Sequence, residues 1–130
     1  MHREFYQDLF VRLSNRMASL QGEDGYWHAS LLDPKSYPSP ETSATGFIVY
    51  ALAYGVNEGL LDKEQMIPVI KKGWEALVKA VEKDGKLGYV QPIGADPKKV
   101  TREMTEVYGV GAFLLAGNQM YKLVSTRLSK

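Results

Sequence analysis

Two glutamates, Glu41 and Glu106, occupy matched positions in a pattern that the chain runs through twice. Each follows a proline-containing loop and precedes an apolar, helix-forming run. A pair of carboxylates can divide the work of a general acid and a general base when held about 5 to 10 Å apart, but spacing along the chain fixes no such distance. A carboxylate at a helix start also has a simpler use. It accepts hydrogen bonds from free amides and sits at the positive end of the helix dipole. Glu41 and Glu106 therefore read as caps, as ligand contacts or as catalytic groups. Trp27, just after the Asp24-Gly25 turn, can stack on a ring of a bound ligand or plug the core under the turn. Lys98, Lys99 and Arg102 form a basic group before the last helix, able to meet an anionic ligand or simply solvated. His2 and His28 are too isolated for a metal site, and no acidic cluster completes one.

The elements that must position these residues follow from periodicity. Phe5, Leu9, Leu13 and Met17, with Tyr6, Phe10 and Leu20 alongside, predict an amphipathic first helix ended by Gly22 and Asp24-Gly25. Tyr26 to Leu32 reads as extended, and the three prolines between Asp33 and Pro40 demand a loop. A second helix is predicted from Thr42 or Ser43, either of which can cap it, and carries Phe47, Ile48, Ala51 and Leu52. Gly59-Leu60 fits a Schellman stop with the leucine packing back. Asp62 with Gln65 predicts a capping box for a third helix bearing Ile70, Trp74, Leu77, Val78 and Val81, with Pro68 placed to kink its first turns. Trp74 reads as core. The fourth helix is predicted to begin between Thr101 and Thr105 and to run to about Leu123. Gly46, Gly109, Gly111 and Gly117 on these helices predict close helix contacts.

The repetition can be checked by offset. Sixty residues place Asp24-Gly25 on Asp84-Gly85; sixty-five place Glu41 on Glu106, Gly46 on Gly111 and Ala51 on Ala116. The second loop therefore holds an insertion of about five residues. The reading is all-α: four helices in two antiparallel hairpins, with short Asp-Gly β-turn excursions. Hairpins of this kind close into (α/α) toroids when enough are present, with binding sites in the mouth of the ring. Two hairpins are too few for a ring, so residues 1–130 are read as one partial domain.

Composition narrows the function. The formal net charge of +1 gives no electrostatic reason for a nucleic-acid partner or an anionic membrane surface. No apolar run approaches the roughly 20 residues that span a bilayer. The absence of cysteine excludes disulfides and thiolate metal sites without naming a compartment. Acidic residues among the first eight are unlike a signal peptide, so none is expected. Hairpin faces left without neighbours should be apolar and exposed, which predicts a homo-oligomer for the isolated chain.

Three blocks then carry a resemblance. Asp24-Gly25-Tyr26-Trp27-His28-Ala29-Ser30-Leu31-Leu32-Asp33-Pro34, with Ser36-Tyr37-Pro38, Glu41-Thr42-Ser43, Thr45-Gly46-Phe47 and Tyr50-Ala51-Leu52-Ala53, resembles glycoside hydrolase families 88 and 105. So do Gly88-Tyr89-Val90-Gln91-Pro92-Ile93-Gly94-Ala95-Asp96-Pro97-Lys98 and the closing run from Thr105-Glu106-Val107-Tyr108 to Ala116-Gly117. The resemblance covers the chain from about Phe5 to Leu123, and about the last third of the family's domain. It implies an (α/α)6 barrel, the six-hairpin fold. It also implies removal of unsaturated uronic acid residues from oligosaccharides left by polysaccharide lyases, without metal or organic cofactor. In that mechanism an aspartic acid protonates a vinyl ether double bond, water adds, and the hemiketal falls apart. Trp27, Glu41, Thr42, Arg102 and Glu106 are the substrate-binding candidates it leaves on this chain, with Trp27 against a sugar face and Arg102 against a uronate. The family's acid/base aspartate and a Trp-x-Arg-Gly-Asn-Gly-Trp segment that lines its cleft belong upstream, and neither motif occurs in residues 1–130. The chain alone is therefore expected to be inactive as a hydrolase, with a self-associating helical module or a sugar-binding remnant as the alternatives.

Overall fold

The computed structural model describes residues 2–128, with side chains as far as Ser125. Four helices follow in the expected order: α1 (Arg3–Ser19), α2 (Thr42–Asn57), α3 (Lys63–Lys79) and α4 (Val107–Leu128). Each of the two long loops carries one 3-10 turn, at Pro34–Ser36 and Pro97–Lys99, where an aspartate precedes a proline. Among the described residues the sheet content is one isolated antiparallel bridge, Val81 to Leu87.

Helix ends show where local chemistry ruled and where it was overridden. Helix α2 stops at a Schellman motif: Leu60 donates to the Gly55 carbonyl at 2.8 Å and Gly59 to that of Val56 at 3.2 Å. The leucine that packs back is Leu61 rather than Leu60; its side chain is buried and closes over Gly55. Asp62 caps α3 by accepting from the Gln65 amide at 2.7 Å, and α3 continues unbroken past Pro68. The start of α2 differs from the expectation. Thr42 and Ser43 already lie inside the helix, and Glu41 is the cap, its carboxylate accepting from the Ala44 amide at 2.6 Å. The Thr42 hydroxyl instead donates to the Gly88 carbonyl of the second repeat at 2.8 Å. Helix α4 begins at Val107, later than predicted. The preceding residues form a turn in which Met104 donates to Thr101 and its own carbonyl receives the Val90 amide at 3.0 Å, so they are not free to be helical.

The tightest packing is not within either sequential hairpin. Helix α2 lies against both α4 and α3, with its longest contact along α4, whereas α1 meets α2 through its C-terminal half. Near the start of α2, a Cβ built on Gly46 would stand 3.0 Å from the Ala112 Cβ and 3.1 Å from its carbonyl carbon, so only glycine lets the two backbones meet. Near its end, Asn57 donates to the Gln119 carbonyl at 3.1 Å and to its side-chain oxygen at 2.9 Å. These two crossings, in the same order along both helices, make α2 and α4 parallel. Their N-termini, and the long loops feeding them, therefore gather at one end of the molecule. Gly111, the repeat partner of Gly46, meets nothing within 4 Å and is exposed, so the expected close contact is absent there. Gly109 packs on Val90 and Gly117 on the Trp74 ring.

Trp27, Val49, Leu52, Met66, Ile70 and Leu77 form the centre of the core. Trp74 lies at its edge, stacked on Phe113 with ring centroids 5.1 Å apart. The predicted stripe of α1 is only partly used. Met17, Phe10 and Leu20 reach the core, but Phe5, Tyr6, Leu9 and Leu13 are exposed, as are Val110, Leu114, Tyr121 and Val124 on α4. No helix of the described residues is long and apolar enough to cross a membrane.

Candidate functional site

Where α2 and α4 both begin, a depression of about 430 Å³ is lined by His28, Ala29 and Leu31 from the first loop, Glu41, Ser43 and Ala44 from the start of α2, and Gln91, Pro97 and Tyr108 from the second repeat, with Met17 and Ile48 beneath. A larger hollow of about 480 Å³, with Arg3, Tyr6, Tyr54 and Glu58 on its walls, lies at the opposite end, where α2 gives way to α3, and contains none of the candidate residues.

The two Asp-Gly turns build the floor of this end by the same bonds. Gly22 donates to the Tyr26 carbonyl at 2.8 Å and Glu82 to that of Lys86 at 2.7 Å. The Asp24 carboxylate accepts from the Tyr26 amide at 3.2 Å and that of Asp84 from Lys86 at 3.1 Å. Gly25, at φ +92°, tucks against the Lys72 carbonyl and Ala76 of α3, where a side chain would be both strained and blocked. The Tyr26 hydroxyl donates to the Ala76 carbonyl at 2.7 Å. Burial, and then the charge of Asp24, push Tyr26 up to about 12.

Glu41 is the candidate that the structure brings into the depression. It is 7% exposed, and its carboxylate accepts from the Ser43 hydroxyl and from the Ala44 amide, each at 2.6 Å. The cap fixes the carboxylate at the helix start, where Glu41 lines the depression, and two bonds do not exhaust its capacity to accept. Trp27 and Thr42 stand differently. Trp27 is wholly buried; its indole N–H donates to the Met17 carbonyl at 2.7 Å and its amide to the Thr45 hydroxyl at 3.1 Å. It is the plug under the turn and offers no face on which a sugar could stack. Thr42 is also wholly buried, its hydroxyl committed to Gly88. Both lose the surface contact expected of them, because α3 and the second repeat close over the α2 start.

Arg102 lies elsewhere on the same end, in a shallow hollow with Val81, Glu82, Lys83, Asp84 and Lys86. Its Nε donates to the Glu82 carboxylate, and this bond raises the guanidinium further above its ordinary range. Its guanidinium carbon stands 6.0 Å from the Tyr89 ring centroid. Lys98 sits over the Tyr37 ring at 5.1 Å, so the basic group is split between two aromatic partners. Glu106 occupies the position its repeat partner predicts, immediately before α4, yet there its backbone carbonyl accepts, from Gly109 at 3.1 Å and Val110 at 3.3 Å. Its side chain lines a separate hollow with Thr105, Val107 and Val110. Sequence reasoning did not single out Gln91 or Tyr108 as site residues. The Tyr108 hydroxyl donates to the Gln91 carbonyl, and Gln91 Nε2 donates to the Ala95 carbonyl at 2.6 Å, so the pair shapes the second-repeat wall. Among the described residues no three His, Cys, Asp or Glu side chains gather into a metal-binding group.

Comparison with known proteins gives the frame. The family model of Glycosyl Hydrolase Family 88 matches residues 1–124. An unsaturated 3S-rhamnoglycuronyl hydrolase of Formosa agariphila is 45% identical over 122 residues, covering 94% of this chain and 32% of that protein. A solved structure of a glycosyl hydrolase family 88 protein from Bacteroides vulgatus superposes with a TM-score of 0.88 at 38% identity, over 92% of this chain and 36% of that one. Another, named as a polysaccharide lyase, superposes with a TM-score of 0.92 at 43% identity, over 96% of this chain and 36% of that one. The four helices thus match part of the six-hairpin fold, and the chain spans about a third of the length of these relatives. The family match runs almost end to end, and the chain belongs to Glycosyl Hydrolase Family 88.

Proposed function

We propose that residues 1–130 supply about the last third of a six-hairpin barrel and one wall of its cleft, in an enzyme that removes unsaturated uronyl residues from oligosaccharides by hydrating their vinyl ether. The observation that carries this reading is the depression at the shared N-terminal end of α2 and α4, lined by the capped Glu41 together with Gln91 and Tyr108. That is a polar wall with an apolar floor, suited to a sugar ring with hydroxyl groups on its edge. Glu41 is the proposed hydroxyl contact. Glu106 and Arg102, on hollows of the same end, are the proposed outlying contacts, with Arg102 toward a carboxylate. The acid that protonates the double bond is proposed to come from the preceding hairpins. Purified 130-residue chain should then leave the ultraviolet absorbance of an unsaturated disaccharide unchanged, while a polypeptide that adds those hairpins should consume it. Turnover by the 130-residue chain would overturn the division of labour.

A second reading concerns the chain by itself. Phe5, Tyr6, Leu9 and Leu13 on α1 and Val110, Leu114, Tyr121 and Val124 on α4 leave two large apolar faces exposed. The reading is that copies of the chain cover these faces by self-association. Light scattering coupled to size exclusion is expected to give the mass of a dimer or trimer; a monomer across the accessible concentration range would sink it.

A further inference from the structure

His28 holds more than its place in a turn. Its ring Nδ1 stands 3.0 Å from the Tyr37 carbonyl oxygen and 3.0 Å from that of Ser39, and its Nε2 stands 3.0 Å from Asp24 Oδ2. Carbonyl oxygens and an ionised carboxylate can only accept, so both ring nitrogens must donate for this arrangement to be satisfied. We propose that His28, carrying two ring protons, is the positioning residue that latches the rim loop 29–40 to the Asp24-Gly25 turn, so that this rim loosens when the ring gives up a proton. A ring with one proton would set a lone pair either against Asp24 or against the two rim carbonyls, and one side of the latch would open.

The ring shares its surroundings with charged and titratable groups from both repeats. Asp24 faces it from the turn, and its carboxylate is also held by the Tyr26 amide. Asp33 and Lys35 lie exposed on the rim loop. Glu41 and Tyr108 line the same depression but have their own partners, Ser43 and Ala44 for the first and the Gln91 carbonyl for the second. Lys98, from the second repeat, reaches the Tyr37 ring rather than the imidazole. The second repeat also supplies a contrast within the molecule. An offset of sixty places Gly88 where His28 stands. Its rim loop is held instead by Gln91 on Ala95 and by Tyr108 on Gln91, with no imidazole among them.

The latch is independent of the proposed reaction, because its readout is the order of a loop and not turnover. In the full chain labelled with nitrogen-15, the His28 ring nitrogens and the backbone amide order parameters would be followed by NMR from about pH 5 to 9. At low pH both ring nitrogens should carry protons. As one is lost, the order parameters of Ser36, Tyr37 and Ser39 should fall from about 0.85 to below about 0.6, while those of Lys98, Lys99 and Val100 hold. Asp24→Asn, which keeps an acceptor but removes the charge, should move the loosening to lower pH. His28→Gln should make the first rim indifferent to pH. The proposal is overturned if the first rim keeps its order while the ring loses a proton, or if both rims loosen together. Should His28→Gln fail to fold, the titration of the unaltered chain and of Asp24→Asn still decides.

Discussion

Replacing Trp27 by alanine is expected to destabilise the chain by about 4 kcal/mol, the middle of the range for removing a buried aromatic side chain. The indole is wholly buried among Val49, Leu52, Ile70 and Leu77, and its far edge lies where Gly73 leaves room on α3. Alanine would open a cavity between the turn and α3, and it would leave the Met17 carbonyl only the Leu20 amide at 3.0 Å, without the indole N–H bond at 2.7 Å. Phenylalanine keeps most of the packing and loses chiefly that bond, so a cost of about 1 to 3 kcal/mol is expected for Trp27→Phe. Urea denaturation followed by circular dichroism measures both. If the alanine variant unfolded within about 1 kcal/mol of the unaltered chain, the plug role would be wrong and a surface role for the ring would have to be reconsidered.

The two repeat-related glutamates are expected to respond unequally, although sequence alone makes them twins. Glu41→Ala removes the acceptor of the Ala44 amide and of the Ser43 hydroxyl at a nearly buried helix start, and should cost about 2 kcal/mol. Glu41→Gln retains an oxygen for the cap and should recover about half of that. Glu106→Ala should change stability by less than about 0.5 kcal/mol, because only its backbone carbonyl serves the first turn of α4. Thermal unfolding of the three variants at one pH and salt concentration tests this. Equal losses at the two positions would mean that Glu106 also caps in solution.

Much of the local architecture was legible because it depends on near neighbours. An Asp-Gly pair after a helix specifies the same turn at Gly25 and Gly85, with φ +92° and +88°. An aspartate before proline gives the same 3-10 turn twice, and Gly59-Leu60 and Asp62 end and start helices as their types require. The six-hairpin fold came from the resemblance, since two hairpins alone do not state how many others complete them. What was not legible depends on contacts across about sixty residues. Thr42 looks like a cap until Gly88 is known to lie beside it. Gly46 and Gly111 look equivalent until Ala112 is seen against one and open space beside the other. Trp27 could face either way because α3, forty residues further on, decides which side of the turn is covered. Tyr108 stood only within a block that carries the resemblance, being one aromatic in an apolar helix start, with nothing local to mark it as a wall residue. His28 did carry a local sign, standing four residues after Asp24 across a turn.

The parallel seating of α2 against α4 also bears on how this molecule folds. Gly46 meets Ala112 and Asn57 meets Gln119, pairs separated by 66 and 62 residues, and between them the chain must first complete α3 and the long second loop. Helical proteins usually fold fast because their contacts are local, whereas distant contacts require loop closure before they return any stabilisation. The best-packed seam in this chain is its least local one. Its folding rate should therefore resemble that of mixed α/β domains of similar size more than that of a simple helical bundle, and its helices will spend longer formed but undocked, with their apolar faces open to other chains.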